Sequence, residues 1–415
     1  MKTIKFALCG AGRRGKEMCE RVFSDIPGIE MVGIADVYEA NANATADVML
    51  EKTGKRPNVY NSHKDLIEAE KPDAMFIASS WESHKEIAID AMRAGVAVAL
   101  EVGGIFSESE WFEFIDVCEE TKTPFMFMEN CCFGKEELLA LSLKRNGVLG
   151  DVVYCHGAYQ HDCRQIVARA GAGADNFRLQ NAMIHNREAY PTHELGPIAK
   201  ILNINRGNRM VSLTSRATRP AGLMDYVNRH DEYKELRGFE IKQGDIVETT
   251  ISCENGELIN IRFDTYLPCY YSREITLRGT RGLYDQKLGL VLREGWSEKY
   301  DGVRQKLFAD APEQLKIYEE KYLPEKWKLQ GEALKEKGHG GMDYLQFDEF
   351  FSALREGREM PIDVYDAAAW MSIVYLSEKS IELGGQSVDI TDFTRGAYKN
   401  RKPVDVMEVP VVREE

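Results

Sequence analysis

The chain has 415 residues, enough for two or three domains, and its 44% apolar content can fill sizeable cores. A net charge of −14 without a basic stripe argues against a nucleic-acid partner, and no apolar run reaches the length of a membrane span. Nine cysteines, an odd number with no C-x-x-C pair, read as reduced buried thiols rather than a disulfide framework, and no metal site is expected.

The first predicted element is an apolar strand, Ile4 to Leu8. It runs into Gly10-Ala11-Gly12-Arg13-Arg14-Gly15, a G-x-G-x-x-G turn. An amphipathic helix follows, with Met18, Cys19, Val22 and Phe23 on one face. A second apolar strand, Met31 to Ala35, ends in Asp36, twenty-one residues after Gly15. This is the fingerprint of a dinucleotide site. Gly10 permits the tight turn, Gly12 lets backbone approach a pyrophosphate, and Gly15 lets helix pack on strand. The helix N-terminus offers N–H groups and a positive dipole end to the phosphates. Asp36 suits a ribose 2′-OH and therefore NAD; Arg13 and Arg14 are the residues that would hold a 2′-phosphate, and Asp36 argues against it.

Strand and helix keep alternating. Ala74 to Ala78 is a strand buried on two faces, followed by a loop over Ser79 to His84. A helix ends at Gly95, Val96 to Leu100 is a strand ending at Glu101, and a helix covers about 108–121. Pro124 to Met128 is the last strand of the series, ending at Glu129-Asn130. The pattern predicts an α/β Rossmann domain with a doubly wound parallel sheet. Ligands of such sheets sit beyond the carboxyl ends of the strands. That rule groups Gly10, Gly12, Arg14, Gly15, Asp36, Trp81 to His84, Glu101 and Asn130 on one surface.

After residue 130 the pattern changes. A helix from about Lys135 to Asn146 precedes strand-like stretches at 152–159, 210–215, 247–253, 258–266 and 274–278. Their alternation predicts an α+β domain with a large, mostly antiparallel sheet, and Asn255-Gly256 marks a hairpin. Residues around 295–338 are charged with helical periodicity and read as a surface helical insertion. Asp343 to Leu383 reads as two helices broken near Gly357 and Pro361. The expected division is a nucleotide domain over 1–130 and a substrate domain over 131–415.

The second domain holds a polar and aromatic population. Period two places Cys155, Gly157, Tyr159 and His161 on one face of the first strand. Tyr190-Pro191-Thr192-His193 precedes an apolar helix that Thr192 is placed to cap. There is no H-E-x-x-H, no G-x-S-x-G elbow and no carboxylate pair of an ordinary glycosidase.

A Rossmann domain followed by a mixed-sheet domain resembles the Gfo/Idh/MocA oxidoreductases. Those dehydrogenases usually carry Glu-Lys-Pro where this chain has Glu101-Val102-Gly103, so their catalytic lysine is missing. That departure resembles glycoside hydrolase family 109, the NAD-dependent α-N-acetylgalactosaminidases. Trp81-Glu82-Ser83-His84, Glu129-Asn130-Cys131, Ala158 to Asp162, Tyr190 to His193, Gly338-His339-Gly340-Gly341-Met342-Asp343, Asp363 to Trp370 and Asp392 to Gly396 carry the likeness.

The resemblance implies NAD contacts at Arg14, Gly15, Asp36, Trp81, Ser83, His84, Glu101, Val102, Asn130, Arg178 and Tyr190. It implies glycoside contacts at Tyr159, Tyr190, Pro191, Thr192, His193 and Tyr271. The implied reaction is transient oxidation at sugar C3, elimination across C1–C2, hydration and re-reduction, with Tyr159, His193 and Tyr190 as the catalytic residues. A plain NAD-dependent sugar dehydrogenase and a non-catalytic NAD-sensing protein are the alternatives. A homo-oligomer is implied by the family, and a cytoplasmic location by the reduced thiols and the missing leader.

Overall fold

The computed structural model describes residues 3–173, 176–295 and 304–413. They divide into two compact units. The first takes Met1–Leu138, Pro324–Ala368 and Val404–Val409; the second takes Leu139–Leu323, Ala369–Pro403 and Pro410–Glu415. A single boundary at residue 130 does not describe this division, because 324–368 return to the first unit.

The first unit is built on a six-stranded parallel sheet. Its strands are β1 (Ile4–Cys9), β2 (Ile29–Ala35), β3 (Asn58–Tyr60), β4 (Ala74–Ile77), β5 (Ala97–Glu101) and β6 (Phe125–Met128), in the order β3-β2-β1-β4-β5-β6. Strands β1 and β4 are apolar almost throughout because helices cover the sheet on its faces. The helix Trp81–Arg93 begins inside the segment expected as a loop, so Trp81, Ser83 and His84 lie on its first turn.

The returning segment completes this core. Phe347 and Phe351 of the helix Met342–Glu356 are fully buried. Phe347 meets Phe23 and Phe76 edge to face at 4.8 and 5.0 Å, and Phe351 meets Phe6 at 5.0 Å. Such pairs add about 0.5–1.5 kcal/mol each beyond area burial. The Phe127 N–H on β6 donates to the Ile362 carbonyl at 3.0 Å.

The second unit holds an eight-stranded sheet. Its strands are β7 (Val152–Gln160), β8 (Met210–Ala217), β9 (Ile246–Cys253), β10 (Leu258–Asp264), β11 (Thr276–Gly279), β12 (Gly282–Asp285), β13 (Leu290–Arg293) and β14 (Val388–Asp389). The order is β13-β12-β11-β7-β10-β9-β8-β14, antiparallel except for the central pair β7–β10. The hairpin at Asn255-Gly256 joins β9 to β10 as the sequence predicts. Gly157 on β7 has a specific use. A Cβ there would lie 2.9 Å from the Glu194 Cβ and 3.0 Å from Ile198 Cδ1, so glycine lets the helix Thr192–Ile201 press onto the strand.

The expected surface insertion is two helices, Arg304–Tyr322 and Glu325–Leu334; residues 296–303 of that expectation lie outside the described residues. The helices are fastened rather than superficial. The Gln314 amide pairs with the backbone of Val291 on β13 within the second unit. Trp327 is buried in the first unit, where its indole N–H donates to the Phe133 carbonyl at 3.2 Å.

Candidate active site

The nucleotide surface lies in the first unit. A Cβ on Gly10 would collide with the Ala78 and Ser79 backbone, and one on Gly15 with the Gly10 carbonyl. Gly12 has nothing within 4 Å of that position. The outer two glycines are therefore demanded by packing, while the middle one faces open space that a pyrophosphate fits. The first intrahelical bond runs from Lys16 N to Gly12 O at 3.0 Å. The N–H groups of Arg13, Arg14 and Gly15 precede it and point the way a phosphate needs. Asp36 ties the turn to the end of β2: Oδ2 accepts from Ala11 N at 2.6 Å and Oδ1 from Tyr38 N at 2.8 Å.

The residues after β4 and β5 interlock. His84 is fully buried, with Nε2 3.0 Å from the Ser79 carbonyl and Nδ1 3.4 Å from that of Gly103; burial lowers its pKa. Ser83 Oγ lies 2.8 Å from both Ser79 Oγ and the Ser80 carbonyl, so its one proton goes to one of them while it can accept from the Ser79 hydroxyl. Trp81 meets Phe106 at 5.5 Å and lies against Gly103. Gly103 has φ +99°, which proline cannot adopt, so the Glu-Lys-Pro turn of the dehydrogenases has no counterpart here. Val102 is buried, and its N–H donates to Glu101 Oε1 at 3.0 Å.

Arg14, expected among the cofactor contacts, stands in the glycine turn. Its guanidinium is turned to two carboxylates. Nε donates to Glu101 Oε2 at 2.6 Å, and the two terminal nitrogens grip Asp343 at 2.8 and 2.9 Å. Asn130, also buried, donates to Asp343 Oδ1 at 2.9 Å. Burial alone would raise the Asp343 carboxyl, but Arg14 and His339 outweigh it and hold it well below the usual carboxylate range. The motif around His339 and Asp343 is visible in the sequence, yet nothing local assigns Asp343 to Arg14.

The candidate catalytic residues lie in the second unit, and they gather. Tyr159, at the end of β7, stacks on Tyr190 with centroids 5.0 Å apart and planes at 27°. His193 meets Tyr159 edge-on at 5.4 Å and Tyr190 at 4.8 Å. Helix Thr192–Ile201 starts without a side-chain cap; Pro191, at φ −71° and ψ −18°, already has helical backbone, so Thr192 is the first helical residue and not its cap. Pro191 and Thr192 are buried beneath the turn that presents His193. The Gln160–Ser272 bridge brings in Tyr271, whose hydroxyl accepts from Arg273 at 2.9 Å. His161, which the motif includes without a role, sits 5.4 Å from Tyr271 and 6.1 Å from Tyr159. The Arg178 guanidinium lies 5.4 Å over the Tyr190 ring, which sets a positive charge beside this group.

Residues 4–128 match the oxidoreductase family with an NAD-binding Rossmann fold, and 133–400 match the C-terminal domain of glycosyl hydrolase 109. The chain belongs to glycosyl hydrolase family 109. A family protein from Stenotrophomonas maltophilia is 34% identical over 97% of this chain and 92% of its own. An alpha-N-acetylgalactosaminidase from Tannerella forsythia is 34% identical over 96% of this chain and 88% of its own. The fold is shared with solved dehydrogenases at low identity. Myo-inositol 2-dehydrogenase from Lactobacillus plantarum superposes with a TM-score of 0.65 at 15% identity, covering 94% of this chain and all of that one. Scyllo-inositol dehydrogenase from Lactobacillus casei, solved with NAD(H) and scyllo-inositol, gives 0.63 at 13%, covering 94% and 99%. This family-109 chain is a glycosidase with an NAD-binding Rossmann domain. Among its described residues, no helix is long and apolar enough to cross a membrane.

Proposed function

We propose that the protein hydrolyses α-N-acetylgalactosaminide-like glycosides by transient oxidation at C3 of the sugar. The observation that carries this reading is the Tyr159–Tyr190–His193 group, together with Val102 where a dehydrogenase would place its lysine. When bound, NAD supplies a hydride acceptor for C3 and returns the hydride at the end of the cycle. Tyr190 takes up and gives back the C3 hydroxyl proton. With C3 at the ketone level the C2 proton is acidic, and the Tyr159–His193 pair removes it. The C1–O bond breaks, the leaving oxygen is protonated, and a C1–C2 double bond forms. Water adds across that bond, with its hydroxyl at C1 and a proton at C2. The protein thus supplies an acid, a base and placement, and no second carboxylate is needed.

The residues of the first unit proposed to hold NAD are the glycine turn, Asp36, the Trp81–His84 turn and Val102. Asp36→Ala removes a carboxylate that orders the turn and is placed for the ribose hydroxyls. NAD affinity is expected to fall about 10- to 100-fold, corresponding to about 1–3 kcal/mol for hydrogen bonds to a charged group. Calorimetric titration measures it, and an unchanged Kd removes Asp36 from the ribose site.

The reading as a whole is tested with aryl α- and β-glycosides of N-acetylgalactosamine, with and without added NAD⁺. Phenol release that needs only catalytic NAD⁺, with no build-up of NADH, is the expected result. One NADH per sugar would indicate a dehydrogenase instead. No turnover of any glycoside would favour an NAD-sensing protein.

A further inference from the structure

We propose that Asp343 is a positioning residue for the nucleotide site, acting through Arg14. The proposal rests on NAD binding by the first unit and not on the glycosidase chemistry. Arg14 stands inside the glycine-rich turn, between Gly12 and Gly15. Its guanidinium reaches away from the turn to Glu101 at the end of β5 and to Asp343 on the first turn of helix Met342–Glu356. Asp343 is fully buried and also takes the amide of Asn130, just beyond β6. One carboxylate thereby links the turn after β1 to the end of β6, directly and through the cation it shares with Glu101. These are the strand ends where a dinucleotide lies.

The bidentate grip fixes the orientation of Arg14 as well as its distance. Because the guanidinium is held from outside, the backbone of Arg13 to Gly15 is set in the pose that offers its N–H groups to phosphate. His339 adds a fourth donor: Nδ1 lies 2.7 Å from Asp343 Oδ2 and 3.3 Å from an Arg14 nitrogen. That nitrogen carries its proton toward the carboxylate, so it accepts nothing from Arg14. The hydrogen bond to Asp343, opposed by burial, raises the His339 pKa above its ordinary value.

The segment before the helix is shaped for this carboxylate. Gly338, His339, Gly340 and Gly341 all have positive φ, at +72°, +39°, +68° and +104°. A Cβ on Gly338 would sit 2.5 Å from Asp343 Oδ2, whereas one on Gly340 meets nothing within 4 Å. Gly338, at ψ +127°, lies outside the left-handed region and Gly340, at ψ +21°, close to it, so alanine is strained at both positions and more so at Gly338, and only Gly338 touches the carboxylate.

That difference supplies the test. NAD⁺ affinity is measured by calorimetry on the full chain, and thermal stability is recorded alongside. Asp343→Asn is expected to weaken NAD⁺ about 10- to 100-fold, the range for losing a charge-assisted hydrogen bond. Gly338→Ala is expected to weaken it in the same direction with every charge retained, which carries the test if Asp343→Asn does not fold. Gly340→Ala is expected to lower the Tm while leaving the NAD⁺ Kd within about two-fold, as backbone strain without displacement of the carboxylate requires. An unchanged Kd in folded Asp343→Asn or Gly338→Ala overturns the proposal and leaves Asp343 a structural ion pair. So does a loss of affinity in Gly340→Ala as large as in Gly338→Ala.

Discussion

His193→Ala and Tyr159→Phe are each expected to lower kcat about 10²–10⁴-fold, the range for removing a general acid or base. Tyr159→Phe is the cleaner variant. The Tyr159 side chain is 4% exposed and stacks on Tyr190 and Phe263, so phenylalanine keeps the packing and loses only the hydroxyl. His193→Ala removes ring contacts to two tyrosines and calls for a check of folding. NAD⁺ affinity should barely move in either, because the glycine turn and Asp36 are untouched. Steady-state turnover of an aryl glycoside with saturating NAD⁺ measures the effect. Wild-type kcat in both variants would make these residues part of the packing and nothing more.

Phe347→Ala is expected to cost about 3–5 kcal/mol, as large-to-small changes of a buried aromatic do. Phe347 is fully buried and touches rings from two other parts of the first unit, Phe23 and Phe76, and that of Phe351 one turn along its own helix. Alanine leaves a cavity that the sheet cannot close, since β4 is held on two sides by hydrogen-bonded neighbours. Equilibrium denaturation in urea, followed by tryptophan fluorescence, measures the loss. A change under about 1 kcal/mol would mean that the helix Met342–Glu356 is not part of the core it covers.

The first 130 residues were legible because their signals are local. Five of the six strands are apolar runs and the glycine spacing ties β1 to its helix within six positions, whereas β3, only three residues long, and the helices Glu39–Thr53 and His63–Glu70 were not read from the sequence. The strand-end rule then collected residues from five turns without any knowledge of distance. The gathering of Tyr159, Tyr190 and His193 was half legible. Alternation put Tyr159 and Gly157 on one face, and the helix after Tyr190 was plain. That Gly157 is the gap into which this helix presses is a statement about two elements, and no single stretch of sequence contains it.

What stayed hidden was long-range. The tie from Arg14 to Asp343 joins side chains 329 positions apart. The return of 324–368 to the first unit rests on the same kind of contact, because an amphipathic helix shows which face is apolar but not which sheet covers it. Strands β12, β13 and β14 have four residues or fewer, too short for alternation to rise above the background. The parallel pairing of β7 with β10 arises between strands about a hundred residues apart, with neither a hairpin nor a short crossover to announce it.

The central claim is that hydrolysis passes through a C1–C2 double bond, and the position of one hydrogen in the product tests it. Turnover of an α-N-acetylgalactosaminide in D₂O, followed by NMR of the released sugar, is predicted to show deuterium at C2. Elimination removes the original C2 proton, and rehydration replaces it from solvent. Release of the sugar at full rate with protium retained at C2 would contradict the account, since direct displacement at C1 never breaks that bond.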